Sequence, residues 1–301
     1  MKQHLIITAD DYGMCEPVNA AIDACLAAGA VRATCIMVNM PSCDAATTLR
    51  QRFPEASIGV HWTLTQGRPV LPANQVPSLV GADGQFLPFK QLRRRLLLQK
   101  VDFAHVRAEL AAQHRRFTDL VGVPDFWNTH EGVHVFPGFF QLFVALGQAL
   151  GTTAMRCHRR VTVPYQGTAE SYQLQHPLYW IKSRIVARWA ARAEAHGVTM
   201  PAGIITSLGF DEGPSAIEAI IPRVRWSALR QAAELTIHPA TTIQPELFGS
   251  MTTSRLREYQ VFSDPDLTHR LHQTGVETVG FEILKHDRTS TQISTRPTRA
   301  V

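Results

Sequence analysis

The chain has 301 residues, with 45% hydrophobic and 18% charged side chains and a formal net charge of +5. This composition is rich enough for a sizeable core and excludes disorder over most of the length. The basic surplus is too thin to argue for nucleic-acid binding and suits a neutral or anionic polar partner. Cys15, Cys25, Cys35, Cys43 and Cys157 form no C-x-x-C pair and no zinc-knuckle spacing, so they read as reduced thiols of a cytoplasmic protein. The apolar run LIITA near the N-terminus ends in two acids and is too short for a signal peptide. No apolar stretch approaches the roughly 18 residues of a membrane span.

Short β-branched runs alternate with stretches of helical period. Leu5–Thr8 is the first predicted strand, followed by an Ala-rich helix over Val18–Ala28 that stops at Gly29. Thr34–Val38 is the second strand, and a helix runs on to about Arg52. Ser57–Val60 is the third strand, opening a Pro- and Gly-rich loop from Thr63 to Pro88. Helix fills Leu92–Val121 with a break near Asp102. Asp125–Thr129 is a strand, Gly138–Leu150 a helix and Thr152–Met155 a strand. Residues 161–200 leave this rhythm and read as an irregular helical excursion, with a helix over Ile181–His196. Strands at Gly203–Thr206, Glu234–Ile237 and Glu277–Ile283 follow, with helices near Ile217–Arg225 and Asp266–Thr274. Residues 1–285 are expected to form one domain, and 286–301 a polar, frayed tail. Such alternation means a parallel sheet covered by helices. The first strand runs into Asp10-Asp11-Tyr12-Gly13 without a G-x-G-x-x-G turn, so a dinucleotide fold is disfavoured.

Reactive side chains fall at the carboxyl ends of the strands: Asp10 and Asp11, then Asn39, His61, His130, Arg156 and His238. In a parallel α/β barrel those ends converge on one face, where such folds place their active sites. One carboxylate and two imidazoles make a facial set for a divalent ion, and Asp11, His61 and His130 could supply it. Asp10 would stand beside the ion as a general base, and His238 could protonate a leaving group. Each residue alone has a plainer reading as a turn, cap or buried histidine. Their joint position carries the inference. His130 and His134 lie four apart, but Val133, Val135 and Phe136-Pro137 argue against a helix there. The basic run Arg93-Arg94-Arg95 reads as a solvated helix face.

The segments LIITADDYGMCEPVNAAI, IMVN, IGVHWTLTQGRPVLP, NTHEGVHVFP, ELTIHP and SRLREYQVFSDP, in this order, resemble the YdjC/ChbG-like carbohydrate deacetylases. The resemblance runs from about Leu5 to Ile283 and matches poorly over 161–200. It implies a (β/α) barrel distorted from the regular eightfold form. It also implies metal-dependent removal of an acetyl group from an N-acetylated amino sugar, free, oligomeric or conjugated. By resemblance Asp11, His61 and His130 hold one divalent ion, with Zn²⁺ or Mg²⁺ foremost and Mn²⁺, Co²⁺ or Ni²⁺ open. Asp10 is the base and His238 the acid. Arg156 lies in the substrate pocket, where His134 and Asn39 are also expected. The chain departs from the family's Asp-x-His-x-His-x-His run, with Asn128 for the leading acid and Gly132 for the middle histidine. A metal-dependent phosphoesterase and a non-catalytic sugar- or partner-binding barrel are the alternatives. The expected partner is a small-molecule or glycoconjugate substrate, with no nucleic acid and no membrane span, and a homodimer is a reasonable expectation.

Overall fold

The computed structural model describes residues 3–136, 138–163, 177–207, 221–229, 232–248 and 251–285. Its strands are β1 (Gln3–Tyr12), β2 (Ala33–Ile36), β3 (Ser57–Trp62), β4 (Trp127–Thr129), β5 (Arg160–Val163), β6 (Ile204–Ser207), β7 (Ala233–Ile237) and β8 (Val276–Thr278). Every pairing between them is parallel, in the order β4-β3-β2-β1-β7-β6-β5, with β8 against the start of β1. Parallel neighbours need crossovers, and helices supply them. These are α1 (Glu16–Ala28), α2 (Leu49–Arg52), α3 (Phe89–Leu97), α4 (Phe103–Val121), α5 (Phe139–Ala149), α6 (Pro177–Ala195), α7 (Pro245–Phe248), α8 (Thr252–Phe262) and α9 (Leu267–Gln273). The result is a curled parallel half-barrel of the α/β class, as the alternation predicts. No helix among the described residues is long and apolar enough to cross a membrane.

The period of two along each strand separates two cores. On β1, Leu5, Ile7 and Ala9 join Val18 and Ile22 of α1 in the large core between sheet and helices. The alternate residue Ile6 turns into the curl, where it joins Cys35, Phe126 and Phe281 in a second cluster. Phe126 and Phe281 stack there with ring centroids 3.8 Å apart. Gly59 leaves room for them, because a Cβ on it would lie 2.7 Å from the Phe126 ring. Above this apolar floor the inward positions turn polar: Thr8 and Asp10 on β1, His61 on β3, Asn128 on β4 and Glu234 on β7. Floor below and chemistry above is the division expected of such a barrel.

The break near Asp102 is real, since its side chain accepts the Ala104 N–H at 2.8 Å and caps α4. The Thr63–Pro88 loop is anchored on α4: Glu109 accepts the N–H groups of Val70 and Leu71, and Gln113 bonds Thr63. Other expectations differ from the structure. Thr152–Met155 forms only isolated bridges, Met155 to Trp127 and Ala154 to Thr199. The longer strand β5 lies just beyond it, where the excursion was expected to begin, because Val161-Thr162-Val163 finds a partner in β6. The last strand is shorter than expected and breaks after Thr278, where Gly280 and Phe281 turn to bond Glu282 and Ser57. Helix α8 was not anticipated. The polar tail and residues 217–220 of an expected helix lie outside the described residues.

Candidate active site

The site begins with a defect in β1. Successive strand residues normally face opposite sides of a sheet, so adjacent aspartates should not share a site. Between Ala9 and Tyr12 the pairing with β2 shifts by one residue, and Asp11 takes a left-handed φ of 74°. A bulge of this kind re-aims a side chain, and here both carboxylates enter one buried cluster. Gly13 completes the turn at φ 96°, with the Met37 carbonyl 2.9 Å from where a Cβ would sit.

Asp10 accepts from several donors, most of them on Oδ1. Arg156 Nη1 donates to Oδ2 at 2.6 Å and Nη2 to Oδ1 at 2.8 Å, while Asn128 Nδ2 and the Cys35 thiol donate to Oδ1 at 3.2 and 3.1 Å. The far side of the same guanidinium meets Glu234, which also accepts from Thr8. Burial pushes the Asp10 carboxyl up, but the charge and hydrogen bonds of Arg156 outweigh it and hold Asp10 well below the usual carboxylate range. Arg156, expected in the substrate pocket, is thus buried against Asp10 and Glu234 and orients the carboxylate.

Asp11 Oδ1 lies 3.3 Å from His61 Nε2 and 3.0 Å from His130 Nδ1. These three groups have ligand atoms within 4.8 Å of one another. His130 emerges from β4 into a turn with positive φ at Glu131 and Gly132 rather than a helix. Asn128 sits beside His61 in register. Its amide nitrogen faces Asp10, so its oxygen accepts a short hydrogen bond from His61 Nδ1–H. That fixes the tautomer with the Nε2 lone pair aimed at Asp11 and His130. One anionic oxygen and two imidazole nitrogens, converging and with only His130 partly exposed, fit a divalent ion by their own chemistry. Burial lowers the proton affinity of His130, yet Asp11 more than reverses this, so the point attracts positive charge. Asp10, Cys35 and His61 form a second convergence. There Arg156 already neutralises Asp10, and burial holds the Cys35 thiol well above its normal range, so a cation is less favoured.

His238 follows β7 and places Nε2 3.8 Å from Asp10 Oδ2. Burial lowers it to about 4, although the nearby Asp11 and Asp10 oppose the shift. Its main-chain N–H donates to Glu258 of α8, and Arg255 of the same helix donates to Asp11 Oδ2.

The sequence-expected groups Asp10, Asp11, His61, His130, Arg156 and His238 therefore come together. Two others do not. Asn39 spends its amide donors on the carbonyls of Gln66 and Arg68 and tethers the loop after β3. His134 is fully buried among Trp127, Phe140 and Phe143, bonded through Nδ1 to Thr129, and reaches no open surface. Glu234, Cys35, Arg255 and Glu258 were missed as site residues. The R-x-x-E spacing at 255–258 was the available signal for the last two, but it looks like an ordinary helical ion pair.

A curled parallel barrel with a carboxylate–imidazole centre at its carboxyl end is the build of a metallohydrolase-type protein. The sequence profile of the YdjC-like protein family matches residues 4–273, and the chain belongs to that family. A carbohydrate deacetylase of Homo sapiens is 29% identical over 316 residues, covering 99% of this chain and 96% of the relative. A chitooligosaccharide deacetylase of Proteus mirabilis (strain HI4320) is 27% identical over 286 residues, covering 92% and 97%. Among solved structures, a candidate cellobiose-phosphate cleavage protein of Enterococcus faecalis V583 aligns with a TM-score of 0.74 at 22% identity, over 94% of this chain and 98% of that one. That last likeness is one of fold.

Proposed function

We propose that the protein is a metal-dependent deacetylase that hydrolyses the acetamide of an N-acetylated amino sugar, free, oligomeric or conjugated. The observation that carries this reading is the meeting of a carboxylate–bis-imidazole set with an ionised Asp10 and a neutral His238 in one cluster whose two carboxylates are buried and whose His130 and His238 reach the surface. Near-full-length relatives named carbohydrate and chitooligosaccharide deacetylases support the substrate class.

Asp11, His61 and His130 would hold the ion, with Zn²⁺ or Mg²⁺ foremost. When bound, a divalent ion supplies Lewis acidity to the acetamide carbonyl and acidifies water. The remaining work belongs to the protein. Asp10, ionised at neutral pH and held in one orientation by Arg156, takes the proton from the attacking water. An amine leaves poorly without a proton. His238 is neutral before the reaction, so the proton it delivers comes from the water: it passes from Asp10 to His238, 3.8 Å away, and on to the leaving nitrogen. Acetic acid and the free amine result, and the acid's proton passes on to leave acetate and the ammonium form of the amino sugar. Burial of Asp10 and Asp11 excludes bulk water and strengthens these charges.

The test is acetate release from a panel of N-acetylglucosamine conjugates, using protein stripped with chelator and reloaded with single divalent ions. Asp11→Ala should lose ion binding. Asp10→Asn should keep it and lose about 10²–10⁴ in kcat. Full activity of Asp10→Asn would refute the assigned role. Stoichiometric ion binding without acetate release from any conjugate would refute the substrate class.

A further inference from the structure

Helix α8 holds the site at three points. Arg255 Nη2 donates to Asp11 Oδ2, Glu258 accepts the main-chain N–H of His238, and Ala240 N–H donates to the Arg255 carbonyl at 3.2 Å. Residues three apart share a helix face, so one turn presents both polar groups to the barrel mouth. Arg255 is buried, lies over the Phe248 ring at 4.8 Å, and has no hydrogen-bond acceptor for Nε or Nη1 among the described residues. Buried donors left unmatched oppose folding. An arginine held at that cost is poorly explained by stability. What it does achieve is geometric: with Oδ2 occupied, Asp11 presents Oδ1 to His61 and His130.

Resting on the deacetylase reading, we propose that Arg255 and Glu258 are paired positioning residues. Arg255 sets the Asp11 rotamer that receives the ion, and Glu258 sets the main chain that aims His238 at Asp10. One helix thereby keeps the ion-holding and proton-delivering halves of the site in register. Neither residue touches the reacting atoms.

The two arms are tested separately. On chelator-stripped protein, calorimetric titration with Zn²⁺ should show Arg255→Ala binding about 10–100-fold more weakly than wild type. Arg255→Lys, which keeps the charge but lacks the planar fork, should also bind more weakly and serves if the alanine variant does not fold. Removing a cation beside Asp11 would, by charge alone, tighten Zn²⁺ binding, so unchanged or tighter binding in these variants overturns the proposal. For Glu258 the pair is E258D and E258Q. Aspartate keeps the carboxyl but falls one methylene short; glutamine loses the carboxyl but still offers an oxygen to the His238 N–H. E258D should lose about 10–100-fold in kcat with KM little changed, and E258Q should recover most of it. The His238 imidazole resonances should move in E258D and stay in place in E258Q, and Zn²⁺ affinity should be unaffected in both. The reverse ranking, or unmoved resonances in E258D, overturns the proposal. If wild-type protein released no acetate from any conjugate, the deacetylase reading would fail while the Zn²⁺ titration and the resonances still decided the positioning roles.

Discussion

At the residue scale, Asn128 shows what a departure from a family pattern can mean. An aspartate there would place a second carboxylate beside Asp10, whereas the amide donates to Asp10 and accepts from His61 at once. Groups behind a metal ligand orient it and tune its affinity. Asn128→Leu should therefore weaken divalent-ion binding about 10–100-fold by calorimetry, with far-UV circular dichroism unchanged. His134 serves the core. Burial, then the charges of His158, Arg156 and His61, hold it well below the ordinary imidazole value. A depressed imidazole contributes stability above its unfolded pKa near 6.5 and loses it as pH falls towards the folded value. His134→Asn keeps a donor for Thr129 but cannot titrate. It should melt lower than wild type at pH 7 and show a smaller fall in Tm between pH 7 and 5.

At the scale of elements, the bulge in β1 matters most. The Asp10-Asp11 pair was legible as chemistry, but a regular strand would have sent the two carboxylates to opposite faces. Only the left-handed Asp11 and Gly13 bring them together. Gly13→Ala would set a Cβ 2.9 Å from the Met37 carbonyl at a φ that alanine resists. It should cost about 2 kcal/mol or more in chemical unfolding and weaken ion binding as well, because the bulge carries the ligand. A strand followed by a helix was readable wherever a period of two or 3.6 persisted. It was not readable at Thr152–Met155 or in α8. A two-residue bridge and a long strand have the same local composition, and α8 has little apolar bias to mark a face, since Arg255 and Glu258 turn inward along with Val261 and Phe262.

At the scale of the whole molecule, the floor of the barrel and its mouth are separable. Phe281, far along the chain from Phe126, plugs the curl from below, while the ion-holding groups lie above. Phe281→Ala should lower stability by about 3–5 kcal/mol in denaturant titration. Added Zn²⁺ should still raise Tm, because binding to the native state stabilises it by mass action. Loss of the Zn²⁺-dependent rise would mean that floor and mouth are coupled.

The sequence by itself determined the parallel α/β class, the run of reactive groups at strand ends and the identity of the candidate ligands. Those follow from local periodicity and from residue chemistry, which neighbours in the chain express directly. Tertiary structure alone decided what each charge faces. Arg156 turned from a pocket residue into the partner of Asp10, and His134 and Asn39 settled into the core and a loop. Arg255 and Glu258 arrived from a helix more than two hundred residues beyond Asp11 to brace the site. The partner of a buried charge is chosen by which side chains converge when the sheet curls, and no local pattern along the chain encodes that convergence.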